Sequence, residues 1–196
     1  MSTISVIGAG YVGLTTSACL AHLGHEVICV DIDQEKIRQL KQGKIPIHET
    51  GLPELVQTGI SNRCLQFVVG AKDAVASSEF VFLCLPTPQE EDGRADVDAL
   101  LSVVNQIREV VSPGTIIVNK STVPVGTNTT LATAIRRDDV SVVSNPEFLR
   151  EGAAVTDFLQ PDRIVIGAND SKAGDRVAQI YESIDAPIVH VDLSLR

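Results

Sequence analysis

The 196-residue sequence is poor in positive charge, in long apolar runs and in paired cysteines. Sixteen Lys and Arg face 25 Asp and Glu, a formal net charge of -9, which excludes broad electrostatic binding of nucleic acid or of an anionic membrane. Any anionic ligand must be held locally, by a few directed groups. The longest uninterrupted apolar stretches, such as residues 80–85, reach about a third of the ~20 residues a membrane helix requires. Met1-Ser2-Thr3 leads straight into a strand pattern, with neither a basic n-region nor a small-residue cleavage site, so a soluble cytoplasmic protein is expected. Cys19, Cys29, Cys64 and Cys84 lie in apolar surroundings and form neither a CxxC pair nor zinc-ligand spacing. They read as buried small hydrophobes, and no metal site is expected.

What is present is an alternation of short β-branched runs with longer helical patterns, the signature of βαβ units around a parallel sheet. With 44% hydrophobic and 21% charged residues the chain is ordinary for a globular domain, and its length fits one such domain over residues 1–196. The expected class is α/β, a Rossmann-type doubly wound, mostly parallel sheet with helices on both faces. Strands are expected at 4–7, 26–30, 65–69, 80–85, 115–119, 141–144, 163–167 and 188–191, and helices at 12–23, 34–42, 97–111, 127–136 and 172–184. Residues 45–62 read as an insertion, broken by Pro46, Gly51 and Pro53, with at most one helical turn at 54–57. After the last strand the sequence stops without a closing element, which reads as a fragment.

The strongest chemical signal is Gly8-Ala9-Gly10-Tyr11-Val12-Gly13, placed between the first strand and the first helix. Gly8 permits a tight turn, Gly10 lets backbone approach a pyrophosphate, and Gly13 allows close helix–strand packing, with phosphates at the positive helix N-terminus. Asp31, 18 positions after Gly13 at the end of the second strand, is the acid expected on the ribose hydroxyls. Dinucleotide binding by Gly8, Gly10, Tyr11, Val12, Gly13 and Asp31 follows. Asp31 and Asp33 would repel a 2′-phosphate, so the cofactor should be NAD rather than NADP. Lys36 either covers the same ribose or is an ordinary solvated lysine.

Three further loops follow strand ends, where open α/β sheets bind ligands. These are the turn at Pro86-Thr87-Pro88, the stretch 120–126 (KSTVPVG) and the stretch 145–152 (NPEFLREG). Were the last of these helical, Glu147 and Glu151 would share a face at i, i+4, a like-charge pair relieved by Arg150 or solvent, or else aimed together at a substrate.

Taken in order, GAGYVGL, Asp31-Ile32-Asp33 with Lys36, Ile47-His48-Glu49-Thr50-Gly51-Leu52, the PTP turn, KSTVPVG, NPEFLREG and PDRIVIG at 161–167 resemble the nucleotide-sugar 6-dehydrogenases over essentially the whole chain. PDRIVIG after NPEFLREG leans toward the UDP-glucose branch over the GDP-mannose and UDP-N-acetylmannosamine branches. The resemblance implies two successive oxidations of a sugar hydroxymethyl to a carboxylate, with two NAD and a covalent cysteine thioester. It places Asp31 and Lys36 on the NAD ribose, and Thr87 and Thr122 near the nicotinamide end, with Thr122 also orienting a water. Glu147 would act in thioester hydrolysis, Phe148, Leu149 and Arg150 would lie along the UDP-sugar, and Glu151 would sit near the nicotinamide and the catalytic water.

The departures matter equally. The family's nucleophile stands in a Gly-Gly-x-Cys-Leu-Pro-Lys-Asp motif, and none of the four cysteines has that setting. The family's central helix and C-terminal uridine-binding domain have no counterpart in the 196 residues. Full-length members are homo-oligomers joined largely through that helix, so no oligomer is assigned to this chain. His48 takes a place usually held by another residue, without partner ligands for a metal. A non-catalytic NAD-binding module is the reading from a different class.

Overall fold

The computed structural model describes residues 1–90 and 93–192; the expectation about the end of the chain falls largely outside them. Eight strands, β1 (Thr3–Ile7), β2 (Glu26–Asp31), β3 (Leu65–Val69), β4 (Phe80–Leu83), β5 (Ile116–Asn119), β6 (Ser141–Ser144), β7 (Ile164–Ala168) and β8 (Ile188–Val191), form one sheet. Their order is 3-2-1-4-5-6-7-8. Every neighbouring pair is parallel except β6 and β7. The eight expected strands are therefore present, three with the expected bounds and five with one or both ends displaced by one or two residues.

The helices are α1 (Tyr11–His22), α2 (Gln34–Lys41), α3 (Leu52–Ser61), α4 (Lys72–Val75), α5 (Asp98–Ile107), α6 (Thr127–Ile135), α7 (Ala154–Leu159) and α8 (Ser171–Ile180). Strand side chains alternate between two cores, as a two-residue period demands. Phe80 and Phe82 pack into the layer with Leu14, Leu40, Val56, Phe158 and Val177, whereas Val81 and Leu83 pack against Leu100, Val104 and Leu131. Helices α1, α2, α3, α7 and α8 thus cover one face and α4, α5 and α6 the other, the doubly wound arrangement.

Three local expectations are corrected. Residues 45–62 hold the ten-residue helix α3 rather than a single turn. Pro53 stands in its first turn, where a missing N–H costs nothing, so it opens the helix instead of breaking it. Gly59 within α3 is a close-packing residue: a Cβ there would lie 2.8 Å from the Leu65 Cβ. The short helices α4 and α7 were not legible, being one turn or little more. Finally, residues 145–150 are irregular rather than helical, so Glu147 and Glu151 do not form an i, i+4 pair.

The strand order reverses at β1, between β2 and β4. At such a switch point the loops leaving neighbouring strands diverge to opposite faces and open a crevice at the carboxyl edge of the sheet.

Candidate functional site

A cleft of about 890 Å³ occupies that crevice. Gly8, Gly10, Tyr11 and Val12 line its floor, Asp31 and Lys36 one end, and Thr87, Lys120, Thr122 and Glu147 the other. Gly8 has φ +102°, and a Cβ there would fall 2.4 Å from the Cys84 carbonyl oxygen. Gly13 lies beneath the floor, and its Cβ would fall 1.7 Å from the Gly8 carbonyl oxygen. Gly10 differs from both, because a Cβ added there meets nothing within 4 Å and would project into open space. It is the N-cap of α1, with no side-chain cap and no acidic residue in the first turn. The result is an exposed, positive helix end with space in front of it, the arrangement that holds a phosphate.

Asp31 ties this loop together. Its Oδ2 accepts from the Ala9 N–H at 2.9 Å and from the Lys36 ammonium at 2.8 Å, and its Oδ1 accepts from the Asp33 N–H at 3.0 Å. Burial raises the Asp31 pKa, but these bonds, led by Lys36, outweigh it and hold the carboxyl below the ordinary aspartate value. A carboxylate has about four acceptor sites, which leaves capacity for a ribose hydroxyl. Lys36 is an ion-pair partner at the cleft wall, not a freely solvated lysine. The dinucleotide fits the residues present.

At the other end Thr87 and Thr122 meet directly: the Thr87 hydroxyl donates to the Thr122 carbonyl at 2.7 Å. Ser121 laces the same two loops, donating to the Leu85 carbonyl at 2.7 Å and accepting from the Leu85 N–H at 3.1 Å. Glu147 is half-buried, accepts from the Leu149 N–H at 2.6 Å, and lines both the cleft and a smaller hollow beside it. Phe148 and Leu149 line that hollow, where the Arg163 guanidinium stacks 5.5 Å from the Phe148 ring centre. Arg150 and Glu151 are exposed and line neither space. Arg150 is instead held by Asp157, at 2.7 and 3.1 Å.

Contacts that the sequence did not reveal complete the site. The Tyr11 hydroxyl lies 2.8 Å from both Glu49 Oε1 and the Arg150 carbonyl, so its side chain braces the site from below. Glu49 also accepts from the Gly152 and Ala154 N–H groups. Burial pushes the Glu49 carboxyl up, but the bonds from Gly152, Tyr11 and Ala154 prevail and hold it below the ordinary glutamate value. Lys120 is buried beside Asn145. Its advance signal was its place at the head of the KSTVPVG stretch, which carried no role for it. Burial drives the Cys19, Cys29 and Cys84 thiols up to about 12, so none offers a thiolate near neutrality. Among the described residues no three His, Cys, Asp or Glu are grouped to hold a metal, and no helix is long and apolar enough to cross a membrane.

Comparison with known proteins agrees with this geometry. Residues 2–185 match the UDP-glucose/GDP-mannose dehydrogenase family, NAD binding domain. The chain is 46% identical over 188 residues to a UDP-glucose 6-dehydrogenase of Rhizobium meliloti, covering 92% of this chain and 43% of that protein. A UDP-glucose dehydrogenase structure from Pyrobaculum islandicum superposes with a TM-score of 0.91 at 36% identity, over 98% of this chain and 46% of that one. A GDP-mannose dehydrogenase structure from Pseudomonas aeruginosa gives 0.91 at 35% identity, over 98% and 47%. The chain spans less than half the length of such curated relatives. An open glycine cradle, an acid at the end of β2 and a family match across nearly every residue lead to one conclusion: the chain belongs to the UDP-glucose/GDP-mannose dehydrogenase family, as its NAD-binding domain.

Proposed function

We propose that residues 1–196 form the cofactor-binding half of an enzyme that oxidises UDP-glucose to UDP-glucuronate with two NAD through a cysteine thioester. The observation that carries the NAD part is the unobstructed helix end at Gly10 beside the Asp31 carboxylate. The sugar assignment rests on similarity to relatives named for UDP-glucose, together with PDRIVIG at 161–167.

Bound NAD supplies the hydride acceptor. The helix end at Gly10–Val12 holds the pyrophosphate, and Asp31 with Lys36 takes the adenosine ribose. Thr87 and Thr122, joined by their hydrogen bond, set the floor at the nicotinamide end and leave the Thr122 hydroxyl to orient a water. Glu147 stands between the cleft and the hollow, the one predicted acid–base carboxylate that borders both. Its position suits proton transfer to or from a group lying across that boundary. Phe148 and Leu149 supply apolar surface for a sugar nucleotide, whereas Arg150 and Glu151 reach it only by turning inward.

Two results test this reading. In calorimetry the chain should bind NAD more tightly than NADP, and Asp31→Asn should lower that preference by about tenfold to a hundredfold. The neutral amide leaves the Lys36 ammonium without its 2.8 Å partner and available to a 2′-phosphate. A preference unchanged in Asp31→Asn would take Asp31 out of this role. Given NAD and UDP-glucose, these 196 residues alone should form no UDP-glucuronate, since the thioester step needs a cysteine and none here is activated or has the family's nucleophile setting. Turnover that vanished in a Cys84→Ser variant would place the nucleophile in the cleft after all.

A further inference from the structure

Lys120 is only 4% exposed, yet it lines both the dinucleotide cleft and the hollow beside it. A buried ammonium normally satisfies all three of its N–H donors. Here, among the described residues, the one acceptor is Asn145 Oδ1 at 3.3 Å. That oxygen already takes the Tyr181 hydroxyl proton at 2.5 Å, while the Asn145 amide donates to the Val165 carbonyl at 3.0 Å. The Phe158 ring centre lies 5.6 Å from Nζ; burial lowers the Lys120 pKa, and Cys84, Glu147 and Cys19 favour its charged form. The ammonium is fixed in place by a network spanning β5, β6, β7 and the end of α8, with donor capacity to spare.

Its location relative to a dinucleotide follows from the strand order. Asp31 ends β2, the glycine loop leaves β1, and Lys120 follows β5 on the far side of β4. With pyrophosphate at Gly10 and adenosine at Asp31, the opposite half of the cofactor runs toward the Lys120 end. The nicotinamide ring is cationic in NAD⁺ and neutral in NADH. We infer that Lys120 sets the redox-state preference of this domain, its fixed positive charge disfavouring the oxidised cofactor relative to the reduced one. The inference rests on the NAD orientation proposed above.

Glu147 borders the same region and carries the opposite charge, so it offsets only part of the field of Lys120. Removing the cation leaves the carboxylate unopposed, and that change favours NAD⁺. Two unit charges several ångströms apart in a partly buried site change an affinity ratio by about tenfold. By linkage, the ratio of the two affinities is also the amount by which binding displaces the cofactor couple toward its reduced form.

The test is titration of wild type, Lys120→Met and Lys120→Arg with NAD⁺ by calorimetry and with NADH by fluorescence, thermal melting serving as the control for folding. The ratio Kd(NAD⁺)/Kd(NADH) should fall about tenfold in Lys120→Met and stay near wild type in Lys120→Arg, which keeps the charge. A purely structural lysine would weaken both cofactors together and leave the ratio unmoved, which overturns the inference. So does a ratio that falls equally in Lys120→Arg. Should Lys120→Met melt below the assay temperature, Lys120→Gln carries the same expectation. If wild type bound neither cofactor, the orientation reading itself would fall, a result distinct from an unmoved ratio.

Discussion

Gly10→Val is expected to weaken NAD binding by roughly thirtyfold to a thousandfold in a protein that melts like wild type, while Gly13→Ala is expected to lose the fold of the loop as well. Both positions belong to one fingerprint, and sequence alone assigns them similar importance. The structure separates them. At Gly10 the backbone is extended, with φ -81° and ψ -166°, a conformation any L-residue adopts. A side chain there meets no protein atom and enters the space in front of the helix end. Its cost falls on the ligand, at about 2–4 kcal/mol, a factor of roughly thirty to a thousand in affinity. At Gly13 the added methyl would fall 1.7 Å from the Gly8 carbonyl oxygen and 3.1 Å from the Cys84 Cβ. Backbone cannot yield there without moving α1 away from β1, so a loss of about 3 kcal/mol or more is expected. Calorimetry with thermal melting on both variants checks the contrast. Normal NAD affinity in a folded Gly10→Val protein would contradict the phosphate site, and a normally stable Gly13→Ala protein would contradict the packing.

The parts of the molecule legible in advance are those written in local pattern. Buried parallel strands such as Phe80–Leu83, and Ile116–Asn119 up to its last residue, are continuous apolar runs, and the glycine loop, Asp31 and the strand-end loops follow from them by position. Helix α3 was hidden because Gly51 and Pro53 count as breakers in isolation, although the first is the N-cap of the helix and the second stands in its first turn. The antiparallel turn of β7 against β6 had no local marker at all. Within the site, sequence could name Glu147 and Arg150 from their motif but could not say that Asp157 draws Arg150 away from the cleft. Lys120 and Glu49 stood in quoted motifs without a role, since their meaning comes from partners far along the chain, Asn145 for one and Gly152 for the other. Such contacts are set by topology, and composition or periodicity carries no trace of them.

Glu49 shows what such a distant contact does. Its carboxylate accepts from Gly152 and Ala154, 103 and 105 residues away, at the N-terminal end of α7, and from the Tyr11 hydroxyl in the first turn of α1. No side chain of α7's own N-cap serves that end, so Glu49 is the cap, and an anion is what a helix N-terminus favours. One residue thereby joins helix α1 to the loop that carries Glu147. Glu49→Ala leaves the Gly152 and Ala154 N–H groups without their buried acceptor, while the Tyr11 hydroxyl keeps the Arg150 carbonyl, and a loss of about 3 kcal/mol is expected, a fall in Tm of roughly 6–12 °C for a domain of this size. Glu49→Gln keeps one acceptor oxygen and should lose about half as much. The pH dependence gives a sharper signature. Because the folded-state pKa is depressed, the contribution is complete above the ordinary glutamate value of 4.5 and is lost as pH falls through the lower folded value. Asp31 and Asp157 are depressed too, so wild type and variants all weaken in acid, and only the difference between them isolates Glu49. Melting curves at pH 7 and pH 3 should show the gap between wild type and Glu49→Ala narrowing in acid. A gap of constant width would mean that Glu49 acts by filling space rather than by accepting hydrogen bonds as an anion.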